Sequence, residues 1–130
     1  MTQLAQYAFA QPELLPILTS ASPELLDSLD FGLIGFDADG MVRQYNAFES
    51  RAAGLSPQRV LGQSLFTHVA PCMNNFMVAQ RFEDAAGAGS ALDDTIDYVL
   101  TLRMRPVKVK LRLLSAPAQA MRYVLIQRAL

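Results

Sequence analysis

The 130-residue chain has one cysteine, Cys72, so an internal disulfide is excluded and a reducing compartment is the natural setting. No lysine or arginine precedes Arg43 and the opening residues are polar, so the positive region of a secretory signal is missing and a cytoplasmic location is expected. No stretch suits a bilayer: the longest uncharged run, Val60 to Gln80, carries Gly62, Gln63, Ser64, His68, Pro71, Asn74 and Asn75. Charged residues are scarce at 18% and apolar ones reach 52%, which excludes intrinsic disorder. With no internal repeat or low-complexity tract, the length fits one domain that buries roughly two-thirds of its unfolded surface.

Acidic residues stop at Asp97. Residues 1–97 hold all 12 acids and 4 bases, and residues 98–130 hold 7 bases. The net charge of -1 therefore conceals a negative and a positive part. A basic third can serve nucleic acid, but the opposite charge is present in the same chain, and these bases suit the solvated faces of strands. Residues 1–30 contain Glu13, Glu24, Asp27 and Asp30 and no base.

Local patterns define the elements. Residues 1–30 are short helical pieces punctuated by Pro12, Pro16 and Pro23, with Ser22-Pro23 a good helix start. Phe31 to Phe36 and Met41 to Asn46 flank Asp37-Ala-Asp-Gly40, a turn of residues that tolerate positive φ, which predicts a hairpin. Asn46 caps a short helix to Ala53, with Glu49 in capping-box register and Gly54 as the stop. Ser56-Pro57 starts another turn. A longer amphipathic helix is expected from about Asn75 to Ala86, closed by Gly87, with Phe76, Ala79 and Phe82 on one face. Three strands follow, at Thr95 to Met104, Val107 to Leu113 and Met121 to Arg128.

Strands on either side of a helical block predict an α+β domain with an antiparallel sheet, one face covered by the helices. The other face would display Lys108, Lys110 and Arg112, and the acidic N-terminal segment lying across it would meet those bases.

Three stretches then stand out: Gln44-Tyr45-Asn46-Ala47-Phe48-Glu49, Val69-Ala70-Pro71-Cys72 and Pro106-Val107-Lys108-Val109-Lys110. With Phe31-Gly32, the turn at 37–40 and Val60-x-Gly62, they resemble the photoactive yellow protein family, in order and at near-family spacing from Phe31 to Arg128. The resemblance implies a PAS fold, a five-stranded antiparallel sheet with helices on one face and an N-terminal cap, residues 1–30, on the other face of a core at 31–130. It implies a blue-light photoreceptor, not an enzyme, that holds p-coumaric acid as a thioester on Cys72. Tyr45 and a protonated Glu49 would donate to the phenolate. Ala53, Leu55, Leu65, Val69, Tyr98, Leu100 and Met104 would line the pocket.

The residues have plainer readings beside these. Cys72 alone would be a small core hydrophobe, and Tyr45 a strand residue with a satisfied hydroxyl. Glu49 by local sequence is an ionised capping-box acceptor, which conflicts with donation; burial beside a second negative charge would resolve the conflict by raising its proton affinity. His68 reads as a surface residue, since two ligands make no metal site and Pro71 interrupts the spacing to Cys72.

The sequence departs from the family at Ala53, where a supporting threonine is usual, at Leu55, where an arginine is usual, and at aliphatic Leu65, Leu100 and Leu102. These departures favour one competitor, a PAS module using its cavity for another apolar ligand or for a protein partner. A Cys72/His68 enzyme lacks a third orienting group, and a nucleic-acid binder lacks stacking aromatics beside the bases. The expected partners are the chromophore and an unidentified downstream signalling protein, with no nucleic acid or membrane, for a monomer or weak dimer.

Overall fold

The computed structural model describes residues 7–101 and 106–128. In chain order the elements are α1 (Leu14–Thr19), α2 (Pro23–Ser28), β1 (Gly32–Phe36), β2 (Val42–Tyr45), α3 (Ala47–Ala53), α4 (Pro57–Val60), a π-helical turn at Leu65–Val69, a 3-10 turn at Pro71–Met73, α5 (Ala79–Ala88), β3 (Leu92–Leu100), β4 (Val107–Ser115) and β5 (Arg122–Arg128). The strands form one antiparallel sheet in the order β2-β1-β5-β4-β3. First and last strands thus lie side by side at the centre, which explains why β1 is buried along its whole length.

Period-two alternation sends side chains to two separate apolar clusters. Ile34, Phe36, Val109, Leu111, Leu113, Val124 and Ile126 face the helical block, together with Val60, Leu65, Met73, Val78 and Phe82. Leu33, Leu114, Tyr123 and Leu125 face the opposite way and are covered by Phe9, Leu14, Leu18, Leu26 and Leu29. The N-terminal helices therefore cap the second face of the sheet.

The hairpin forms as the sequence predicts. Gly40 takes φ 82°, and Asp37 Oδ1 accepts from the amides of Asp39 and Met41, both at 3.0 Å. Ser22 caps α2 by accepting from Leu25, and Gly54 ends α3 at φ 72°.

Three expectations are corrected. The long helix starts at Ala79, not Asn75, because the Asn75 side chain accepts from the amides of Met77 and Val78 and holds them in a turn. Phe76 is consequently exposed, and Gly89 rather than Gly87 closes the helix. β3 runs from Leu92 to Leu100, earlier than the alternation alone suggests, since Asp93 and Asp94 pair in register with Leu114 and Leu113; Leu102 and Met104 lie outside the described residues.

The third correction concerns charge. Arg112 is buried and forks onto Asp93 at 2.8 and 2.9 Å, Lys110 pairs with Asp97 and Arg81 with Asp94. What Arg112 offers the N-terminal segment is two bonds to backbone, to the carbonyls of Phe9 at 2.9 Å and Gln11 at 2.6 Å. Neighbouring strand acids, fixed by register, reach the bases, while Arg112 meets the cap at its main chain. Among the described residues no helix is long and apolar enough to cross a membrane.

Candidate functional site

The turn at Pro71–Met73 places Cys72, half-buried, on a cavity of about 570 Å³. Ala53, Leu55 and Val69 line the same cavity, with His68, Pro71 and Thr101. Its position is fixed from behind: the Tyr98 hydroxyl donates to the Cys72 carbonyl at 2.5 Å, and Asn75 Nδ2 reaches both that carbonyl and the Tyr98 oxygen. Tyr98 is thus a support for the cysteine backbone, a role its place in the alternation of β3 did not disclose. Leu65 and Leu100 are fully buried in the apolar cluster against which Leu55, Val69, Cys72 and Tyr98 pack. Met104 lies outside the described residues.

α3 is set by Asn46. Its Oδ1 accepts from the amides of Glu49 and Leu33, both at 3.0 Å, and its Nδ2 donates to the carbonyls of Leu26 and Phe31. The capping half of the expected box is present. The Glu49 side chain takes no part in it, because the Asn46 amide donates to Leu33 instead. Glu49 and Ala53 are one turn apart and share a face of the helix, with Ala53 at the cavity.

Glu49 is 1% exposed and sits against β1 where a Cβ on Gly32 would collide with its carboxyl oxygen. Both its oxygens meet the Arg128 guanidinium, Oε1 at 2.7 Å and Oε2 at 3.0 Å. Arg128 was visible in the sequence only as the end of the last strand; a partner 79 positions away leaves no local signal. Burial pushes the Glu49 carboxyl above its ordinary range, and Arg128 pulls it back only in part.

Tyr45 ends β2, is buried, and makes no hydrogen bond through its hydroxyl among the described residues. Burial raises its proton affinity, and the Glu49 charge raises it further. It belongs to the same apolar cluster as the cavity residues, while also lining a second cleft of about 470 Å³ with Asp27, Asn46 and Arg51. The structure therefore gathers Ala53, Leu55, Val69 and Cys72 around one cavity, keeps Glu49 in the packed interior, and leaves Tyr45 between that interior and the second cleft.

The donor set fits a thiol-held ligand with an anionic phenolic end. It offers a thiol at a cavity, a phenol whose hydroxyl makes no hydrogen bond among the described residues, and a buried carboxyl of raised proton affinity. His68 is exposed at the cavity rim with a side-chain hydrogen bond to Thr67, and no cluster of three metal-ligating side chains occurs among the described residues.

Residues 23–126 match the family model for the PAS fold. The photoactive yellow protein of Halochromatium salexigens is 32% identical over 120 residues, 92% of this chain and 95% of that protein, and the one from Rhodothalassium salexigens is 30% identical over the same shares. Among solved structures, the photoactive yellow protein domain of the sensor histidine kinase Ppr from Rhodospirillum centenum superposes with a TM-score of 0.79 at 33% identity, covering 87% of this chain and 98% of that domain. The chain belongs to the photoactive yellow protein family and is a sensory photoreceptor of the PAS fold, not an enzyme.

Proposed function

We propose that the chain senses blue light through p-coumaric acid held as a thioester on Cys72, with Tyr45 and protonated Glu49 donating to its phenolate. The observation that carries this reading is Cys72 on one cavity with Ala53, Leu55 and Val69, with Glu49 one helical turn from Ala53 and Tyr45 in the apolar cluster against which Cys72 packs. When bound, the group supplies a conjugated anion that absorbs in the blue and a double bond that light isomerises. Cys72 Sγ would displace the leaving group of an activated p-coumaroyl donor, its own proton going to solvent. The Cys72 carbonyl, held by Tyr98 and Asn75, fixes where that sulfur can point. Tyr45, whose hydroxyl makes no hydrogen bond among the described residues, supplies one donor to the anion. Glu49, kept from water, supplies a second and can pass its proton to the same oxygen once the tail has turned.

The signal in this reading is release of residues 1–30, the cap on a core at 31–130, to an unidentified downstream protein in the cytoplasm. Among the described residues a handful of hydrogen bonds ties that segment to the core, from Arg112 to Phe9 and Gln11, from Tyr123 to Leu18, from Asn46 to Leu26 and from the Ala47 amide to Asp27, besides its apolar contacts, and this sparse anchoring supports it as the element that loosens. Purified apoprotein mixed with an activated p-coumaroyl donor should develop a visible band and gain one p-coumaroyl mass on Cys72. A colourless product with a free thiol rejects the reading.

A second reading, a PAS sensor for another apolar ligand, draws on the Glu49–Arg128 pair, which already gives the carboxylate a partner. Cys72→Ala that keeps ligand binding and signalling would select it.

A further inference from the structure

Arg128 has no part in the chromophore reading, yet it holds both oxygens of a carboxylate that is 1% exposed. Its own side chain is only 17% exposed, so the pair is shielded from water and its charges act at close range. Among the described residues few groups face Glu49. β5 brings Arg128, β2 brings Tyr45, and β1 brings Gly32, which has no side chain to intervene. On α2 the Asp27 carboxylate is engaged elsewhere, accepting from the Ala47 amide at the start of α3. A carboxylate formed here without the guanidinium would be buried and unpaired, a strongly unfavourable state. With it, the same carboxylate has a bidentate partner already in place.

We propose that Arg128 is a positioning residue that receives the Glu49 carboxylate after its proton has gone to the phenolate, so that light moves Glu49 from one partner to the other. This rests on the chromophore reading. The proton leaves a Glu49 carboxyl oxygen and binds the phenolate oxygen; Glu49 takes on the negative charge the phenolate loses, and Arg128 keeps all its protons. The pair therefore stabilises the bleached state and lengthens its life. Opposed burial and cation effects on Glu49 suit a group that both holds and releases a proton.

Two measurements test this on Arg128→Met, which removes the charge, and Arg128→Lys, which keeps it, each shown by circular dichroism to be folded. Infrared spectra of the apoproteins at neutral pH, with Glu49→Gln as the reference, should show Glu49 as a carboxylate in wild type and in Arg128→Lys, and a new carboxylic-acid band in Arg128→Met. In the coloured holoprotein, recovery after a flash should be at least about tenfold faster in Arg128→Met, the equivalent of about one pKa unit, and near wild type in Arg128→Lys. A Glu49 that stays ionised in Arg128→Met, or an Arg128→Lys protein that behaves like Arg128→Met, overturns the assignment. If wild type takes no p-coumaroyl group, the chromophore reading falls and this inference with it; a coloured wild type whose Arg128→Met variant recovers at an unchanged rate overturns this inference alone.

Discussion

Replacing Arg112 by methionine should free the N-terminal segment from the sheet while leaving the sheet folded. Arg112 is 4% exposed and gives one guanidinium nitrogen to two carbonyls, Phe9 at 2.9 Å and Gln11 at 2.6 Å, across a separation of about a hundred residues. Hydrogen bonds from a charged donor contribute roughly 1.5–3 kcal/mol each. Its other fork goes to Asp93, whose side chain is 52% exposed and can rehydrate, so that contact is discounted. The two carbonyl bonds sum to about 3 kcal/mol at the lower end, a local opening roughly a hundredfold more frequent. Methionine fills most of the space of the arginine stem, so apolar packing around Leu114 and Leu125 persists. Hydrogen exchange followed by mass spectrometry on the apoprotein reads this directly. Protection across 7–19 should fall by about that factor, with β4 and β5 exchanging as in wild type. Unchanged protection in 7–19 would show that burial of Phe9, Leu14 and Leu18, with the Tyr123 bond to the Leu18 carbonyl, holds the cap without Arg112, and the tether argument would be wrong.

Other outcomes follow from single contacts. Asn46→Ala removes a side chain with four buried bonds and should cost about 3 kcal/mol or more in urea unfolding; a loss under about 1 kcal/mol would mean water replaces them. Gly32→Ala puts a methyl where Glu49 oxygen lies, so it should separate Glu49 from Arg128 and destabilise the fold by about 3 kcal/mol, an effect that Glu49→Ala in the same chain should shrink. Burial raises the Tyr123 hydroxyl from 10.0 to about 12. The fold favours its protonated form, so that contribution is complete below pH 10 and is lost as pH rises through about 12; Tyr123→Phe should flatten this alkaline decline, seen by unfolding at stepped pH.

Local chemistry was legible in the sequence where the cause was local. Ser22-Pro23, the Asp37 to Gly40 turn, Asn46 and Gly54 each act within a few residues, and each element appears where those signals put it. The helix before β3 started late because Asn75 can hold its own turn as readily as enter a helix, a competition that apolar spacing does not register. Partners of buried charge were illegible for a different reason. Arg128 meets Glu49, and Arg112 meets Phe9 and Gln11, only because β5 is inserted between β1 and β4, which composition and periodicity do not encode. Cys72, Ala53, Leu55 and Val69 were grouped through family resemblance rather than any local signal, and the four line one cavity.

Asn46 also has a mechanical meaning. One amide side chain is clamped to the backbone of the helix that carries Glu49, to the strand it leans on and to Leu26 in the N-terminal layer. A displacement of that helix by a fraction of an ångström must either drag Leu26 along or snap a shielded bond. The lever between a rearranged interior and the outer layer is therefore three rigid atoms long, and no chain of intermediates is needed to carry the motion outward.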